Sequence, residues 1–222
     1  EYYIDRVSKL RSAWRKARKR GTNNFILEKQ PQGWNVCVAV VSDEAAGALL
    51  IEPVSVTGDG SSSIEELIDE KNKKRLQNPW YKDKPIEINK TLLERLNRLG
   101  FQLEDIPRKG EKVPLESRAC LEIGGETIGI DHYLHDDFKE KAVEAVKAIP
   151  GLNFAFVHMI VPCPDEPACG QHWVIAKVET EPLAARFHYP WKGQPCNIVE
   201  KIVAKLCLGE HVIWLEKRDA IE

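Results

Sequence analysis

Ile4, Val7, Leu10, Trp14 and Ala17 recur at spacings of three and four, which predicts an amphipathic helix over residues 1–20, closed by Gly21. Beyond it the period changes to two. FILEK (25–29), NVCVAVVS (35–42) and AGALLIEPVSV (46–56) read as three strands of a meander, with turns at QPQG and at Asp43-Glu44. The Gly58-Asp59-Gly60 turn leads to Ser63, whose side chain and Glu66 are spaced as a capping box for the next helix. A polar stretch over 78–85 precedes a short strand, IEI, and a helix that Gly100 stops. Residues 108–115 predict a turn and a strand, whereas 116–131 carry no clear period.

The second half is simpler. Residues 136–149 predict an amphipathic helix ended by Pro150-Gly151. Residues 152–162 are almost continuously apolar, the mark of a strand buried on both faces. The returning strand is 172–182, after a loop that holds Cys163 and Cys169. Asn197 caps a helix over 198–208, and Gly209 separates it from a tail. The pattern reads as one α+β unit without repeats or a linker.

Composition narrows the class. The chain has 222 residues, 43% of them apolar, which suits a globular fold with a sizeable core and argues against disorder. No stretch approaches the roughly 18 consecutive apolar residues of a membrane-spanning helix. The net charge is −2, yet residues 1–20 hold eight basic side chains against Glu1 and Asp5; the remainder carries about −8. A basic run can bind nucleic acid, but here it forms the polar face of the first helix, so a nucleic-acid partner is not expected. The six cysteines follow no framework spacing and read as free thiols of a cytoplasmic protein. The chain starts on Glu1, inside an expected helix and without Met, which suggests a piece of something longer.

Several motifs line up in order. V-T-G-D-G-S-S-S-I-E-E-L-I (56–68) is similar to the V-x-G-D-G-x-x-T-I-x-E-L-I segment of the cyanophycin synthetase and glutathione-synthesising ligases of the ATP-grasp superfamily. The likeness continues through L-E-D-I-P-R-K-G-E-K-V-P-L (103–115), R-A-C-L-E-I-G-G (118–125), Y-L-H-D-D (133–137), F-A-F-V-H-M-I-V (154–161), V-I-A-K-V-E-T-E-P (174–182), R-F-H-Y-P and G-Q-P-C-N-I-V (193–199). It covers about residues 1–207.

The resemblance implies an α+β ATP-grasp C-terminal lobe, a mostly antiparallel sheet flanked by helices. Residues 1–57 would end the nucleotide-binding subdomain and form the meander, 58–135 a family-type insertion, 136–208 the metal-facing strands and helices, and 209–222 a tail. The implied activity is ATP-dependent carboxylate–amine ligation through an acyl phosphate. ATP and Mg²⁺ would be its cofactors and an amino acid or peptide-like molecule its substrate. The Gly-rich lid and the lysine that hold the triphosphate would lie in an N-terminal half of the same protein, and a homo-oligomer is compatible with the pattern. The competing class is a non-catalytic ATP-grasp lobe used for binding or scaffolding.

Residue by residue, Glu28 and Asn35 fall at the adenine-pocket positions. Arg118, beside the Gly124-Gly125 turn, is the candidate catalytic residue, holding a substrate carboxylate or acyl phosphate; an ion pair with Glu116 or Glu122 is its structural alternative. Asp59, Arg186 and His188 are substrate-binding candidates, although for Asp59 fixing its turn is the favoured use. The family's metal-binding Asp falls on His158, a poor Mg²⁺ ligand, and its Glu-x-Asn pair falls on Lys177 and Glu179 or, with a shorter loop, on Glu179 and Glu181. The second register keeps two carboxylates on one strand face and is preferred if a metal binds. Two further groupings stand apart. Cys163, Cys169, His172 and His158 could form a zinc site, or the two cysteines a disulfide. Trp80-Tyr81 could be a recognition patch or packing residues.

Overall fold

The computed structural model describes residues 4–21, 24, 26–180 and 182–208. The chain divides into two compact units, residues 1–32 and residues 33–222. The first unit contains helix α1 (Val7–Lys19), which carries Lys16, Arg18 and Lys19 in its last turn, where they complement the helix dipole. Residues 26–29, expected as a strand, take no regular structure.

The second unit is built on a five-stranded antiparallel sheet, confirming the α+β class. Its strands, in their order across the sheet, are β5 (Glu126–Gly129), β2 (Glu44–Glu52), β1 (Trp34–Val41), β6 (Phe154–Val161) and β7 (Val174–Glu179). Strands β1 and β6 are central, and their alternation sorts the core into two layers. Val36, Val38 and Val40 point with Val157 and Met159 toward helix α4 (Asp136–Lys147), through Phe138, Ala142 and Val146. Cys37, Ala39 and Val41 point the other way with Phe156, onto Phe187 of the one-turn helix α5 (Ala185–His188) and Ile198 of α6 (Ile198–Ile202). A strand read as buried on both faces is therefore buried on both faces.

The meander departs from its expected length at Pro53. Strand β2 ends at Glu52, and β3 (Ser55–Thr57) leaves the main sheet to pair with β4 (Lys112–Pro114). Proline lacks the N–H a ladder needs, so the long apolar run 46–56 is cut in two. The small sheet joins α2 (Ile64–Gln77) and α3 (Lys90–Leu99) around a separate core of Val56, Ile64, Ile68, Leu96 and Val113. The predicted capping box at Ser63 forms, with Glu66 N–H donating to Ser63 Oγ at 3.2 Å and Ser63 N–H to Glu66 Oε2 at 2.8 Å. Residues 86–88 are not a strand, whereas 126–129, which showed no period, are the edge strand β5. Four residues are too few for a two-residue period to show.

Candidate functional site

Register places the candidate residues. Strand β6 pairs with β7 so that Phe156 faces Glu179 and His158 faces Lys177, and β1 pairs with β6 so that Cys37 faces His158. Paired residues of an antiparallel ladder share a face, so Cys37, Phe156, His158, Lys177 and Glu179 lie on one side of the sheet. Helix α5 adds Arg186, whose side chain is only 6% exposed.

Glu179 is the hub. Its Oε2 lies 3.0 Å from His158 Nε2 and accepts from Arg186 Nη2 at 2.9 Å; Lys177 Nζ stands 3.7 Å from Oε1. Arg186 also donates Nε–H to the Leu183 carbonyl at 3.2 Å and stacks its guanidinium 4.9 Å from the Phe156 ring centroid. Partial burial alone would push the Glu179 carboxyl up; the His158 hydrogen bond and the Arg186 and Lys177 charges outweigh it and hold the carboxyl below its ordinary range. Burial pushes the His158 imidazole down, the Glu179 contact opposes this, and Arg186 and Lys177 push it down further. Cys37, 3.9 Å from His158 Nε2, is fully buried and its thiol is pushed up to about 12, chiefly by that burial, so it is inert as a nucleophile.

The metal reading does not fit these residues. A Mg²⁺ ion needs several hard oxygen ligands, and the Glu179 carboxylate is surrounded instead by an imidazole, a guanidinium and an ammonium group. His158, placed among the metal candidates, is a hydrogen-bond partner of Glu179. Glu181 lies outside the described residues. Among the described residues, no three His, Cys, Asp or Glu side chains gather closely enough to hold a metal ion.

Glu28 is exposed in the first unit, while Asn35 sits half-buried on β1 opposite Ile51 and Ile160. Asp59 is committed to its turn: its carboxylate accepts from Ser61 N–H at 2.7 Å, Ser62 N–H at 2.8 Å and Ser62 Oγ at 2.7 Å. These bonds hold its carboxyl far below the usual range, and the structural use expected of it is the one realised. His188 accepts a long hydrogen bond from Val199 N–H at 3.4 Å, tying α5 to α6.

Arg118 lines a cleft of about 600 Å³ between α3, the segment around Lys84 and the 116–124 loop. Its charge helps to hold the Glu116 carboxyl low, after the opposing effect of burial and the stronger Ser117 hydrogen bonds. In the Gly124-Gly125 turn, Gly124 lines this cleft, whereas a side chain at Gly125 would strike the Cys120 carbonyl at 2.6 Å, so that glycine folds against its own loop. Near it the Cys120 thiol donates to Glu122 Oε2 at 2.6 Å.

A side-chain amide organises the cysteine loop. Cys163 and Cys169 are free thiols, and Gln171 does the cross-linking: its Oε1 accepts from Cys163 N–H, and its amide donates to the carbonyls of Cys163, Glu166 and Pro167. Tyr81 is fully buried, edge-on to Trp191 at 5.5 Å, as a packing residue.

Sequence reasoning missed a second charged cluster. Arg75 is 1% exposed and donates to the Lys84 carbonyl at 2.9 Å, the Gly124 carbonyl at 2.8 Å and Glu126 Oε1 at 2.8 Å. Lys71 Nζ also reaches Glu126 Oε1, at 2.7 Å, and donates to the Ser55 carbonyl. The signal was present: Ile64, Ile68 and Leu67 define an inward stripe on α2 that Lys71 and Arg75 continue at i+4 steps.

No family model matches the chain. It is 30% identical over 186 residues to the glutathione biosynthesis bifunctional protein GshAB of Clostridium perfringens, covering 83% of this chain and 24% of that protein. It is 30% identical over 192 residues to the cyanophycin synthetase of Geminocystis herdmanii, covering 86% of this chain and 22% of that protein. The crystal structure of a bifunctional glutathione synthetase from Pasteurella multocida superposes with a TM-score of 0.72 at 24% identity, over 85% of this chain and 25% of that one, a likeness of fold. The chain thus spans about a quarter of the length of the relatives it matches. The ordered motifs, the antiparallel sheet and these likenesses relate the chain to one portion of the ATP-grasp ligases.

Proposed function

We propose that this chain is a non-catalytic ATP-grasp lobe that binds a small anionic group, a phosphate or carboxylate, without a metal ion. The observation that carries this reading is the surround of Glu179, where Arg186, Lys177 and His158 occupy the space in which metal oxygen ligands would have to gather. Two cations contact the Glu179 carboxylate, and the Glu122 carboxylate stands near enough to feel Lys177. Lys177 is 61% exposed and its ammonium stays beyond close hydrogen-bond distance of Glu179, so it has donors to offer a ligand. An anion seated there would exchange water for charge-assisted hydrogen bonds on a rigid sheet face.

The second reading is carboxylate–amine ligation with ATP and Mg²⁺ on an amino acid or peptide-like substrate, completed by an N-terminal half of the same protein. It is favoured by the names of the relatives and by Arg118 in a cleft, and it would place the protein in the cytoplasm. Among the described residues no helix is long and apolar enough to cross a membrane.

The two readings separate in an NMR titration of this chain with inorganic phosphate and, separately, with Mg²⁺. The anion reading expects saturable phosphate shifts at the Phe156–His158 and Lys177–Glu179 amides, unchanged by EDTA and weakened in Lys177→Ala. Saturable Mg²⁺ shifts at Glu179, with phosphate shifts that appear only when Mg²⁺ is present, would overturn it in favour of the ligase.

A further inference from the structure

The two edges of the five-stranded sheet are finished differently. Strand β5 is four residues long, and the segment after α5 covers its outer side. There Trp191 N–H and Lys192 N–H donate to the Thr127 carbonyl at 2.9 and 3.2 Å, and Gly129 N–H donates to the Lys192 carbonyl at 2.9 Å. Strand β7, at the other edge, pairs with β6 alone. Among the described residues no backbone hydrogen bond reaches its outer side. Residues 174–177 are exposed, Val174 and Ile175 at 40% each. Such an edge presents a row of N–H and C=O groups to another strand.

Two features of β7 decide which strand fits it. Lys177 faces His158 while Ile175 faces Met159, so Ala176 is left over as a one-residue bulge that interrupts the ladder. The regular part of the edge begins at Lys177, which disfavours a strand that sets a cation opposite it. A bulge and an edge lysine both guard against indiscriminate pairing, and together they select a strand with a carboxylate opposite Lys177. The chain itself supplies that strand. When two copies of one strand pair antiparallel about a dyad, one residue opposes itself and its two neighbours oppose each other. Centring on Ala176 runs the pairing through both bulges, centring on Lys177 opposes two ammonium groups, and centring on Glu179 opposes two carboxylates. Centring on Val178 sets Lys177 of each copy opposite Glu179 of the other, on the face where both already lie. It also sets Val178 against itself on the α4 side, where that residue packs at the margin of the core. Lys177 is 61% exposed and stands 3.7 Å from its own Glu179, so its ammonium has the freedom to reach across. We infer that β7 pairs edge to edge with β7 of a second copy, antiparallel and centred on Val178. The pairing does not depend on the anion-binding reading; phosphate and the second copy would compete for Lys177.

Sedimentation equilibrium of the full chain in phosphate-free buffer is the first test. A contact made by one short strand is small, so a monomer–dimer exchange is expected at roughly 0.1–1 mM chain. Hydrogen exchange at the β7 amides should slow over the same range of concentration. Lys177→Glu, which sets carboxylates opposite one another, should raise the dissociation constant about tenfold or more while the near-ultraviolet circular dichroism is kept. Val178→Cys reads the register. Directly opposed residues lie within disulfide reach, so mild oxidation should join two copies through the introduced thiols, above the background of the native cysteines. Ile175→Cys, exposed but away from the dyad, should not cross-link above that background. A chain that stays monomeric at about 1 mM overturns the inference, as does a dimer whose β7 amides exchange as they do in the monomer. A dimer that Lys177→Glu leaves intact, or that cross-links as readily through Ile175→Cys, overturns the pairing centred on Val178.

Discussion

Two clusters in the second unit share one plan and use it differently. In each, a carboxylate is held by an arginine and a lysine, and the arginine rests on an aromatic ring: Glu126 with Arg75, Lys71 and Trp191, and Glu179 with Arg186, Lys177 and Phe156. At Glu126 the cations are 1% and 13% exposed and spend their remaining donors on carbonyls from three segments. At Glu179 the lysine is mostly in solvent and the arginine reaches one carbonyl three residues away. The first arrangement joins the α2–α3 region to the sheet; the second leaves charge available at a surface. Burial and the number of protein acceptors, rather than residue type, separate a structural ion cluster from a receptive one.

The largest expected effect comes from breaking the buried cluster. Glu126→Ala leaves Lys71 and Arg75 inside the protein without a counter-charge, and such a loss costs about 3–5 kcal/mol. Urea denaturation should show a lower midpoint. Loss of the α2–α3 region's amide protection before that of the sheet would locate the damage at the junction. A midpoint within experimental error of the wild type would mean that water already solvates these cations, and the contrast between the two clusters would fail.

The partly exposed cluster should respond less, and unequally. Arg186→Met keeps the aliphatic packing on Phe156 but removes the guanidinium from Glu179, with an expected cost of about 1–3 kcal/mol. Lys177→Ala should change stability by less than about 1 kcal/mol, as for other exposed ion pairs. It should nevertheless weaken phosphate binding, because its ammonium is the group left with donors. If Lys177→Ala destabilised the fold as strongly as Arg186→Met, Lys177 would be a structural partner of Glu179 and the site would have no cation to spare.

How much of this was readable beforehand follows the range of the interactions. Features set by neighbours along the chain were legible: the Ser63 capping box, the Gly100 stop, and strand β6 with its continuous apolarity. Glu179 stood out because either alignment of the family motif includes it, but as a metal ligand and not as the centre of an ion cluster. Its partners were not, since Arg186 reaches it only after the turn that follows β7, and His158 only through strand register. Arg75 was the hardest. Its burial depends on Gly124 and Glu126, about fifty residues away, and a charged residue on a helix reads as solvated until its partner is known. Pro53 shows the opposite case, a local residue whose meaning was plain but which an apolar run concealed.

The smallest expected effect concerns the cysteine loop, and it is a prediction of no change. A disulfide between Cys163 and Cys169 would close a short loop and stabilise it by roughly 2 kcal/mol, and a zinc ion would tie the same loop to the sheet. The loop already has a neutral cross-link, because the single Gln171 side chain satisfies one N–H and three carbonyls of residues 163–167. Asp137 holds the loop to α4 by accepting from Ala168 N–H at 2.9 Å, and His135 N–H donates to the Pro164 carbonyl at 2.8 Å. Dithiothreitol and EDTA should therefore leave the melting temperature where it is, whereas Gln171→Ala, which exposes or orphans four backbone groups, should lower it. A drop with dithiothreitol would show that the thiols, and not the carboxamide, close the loop, and it would return Cys163 and Cys169 to the set of groups that shape this end of the sheet.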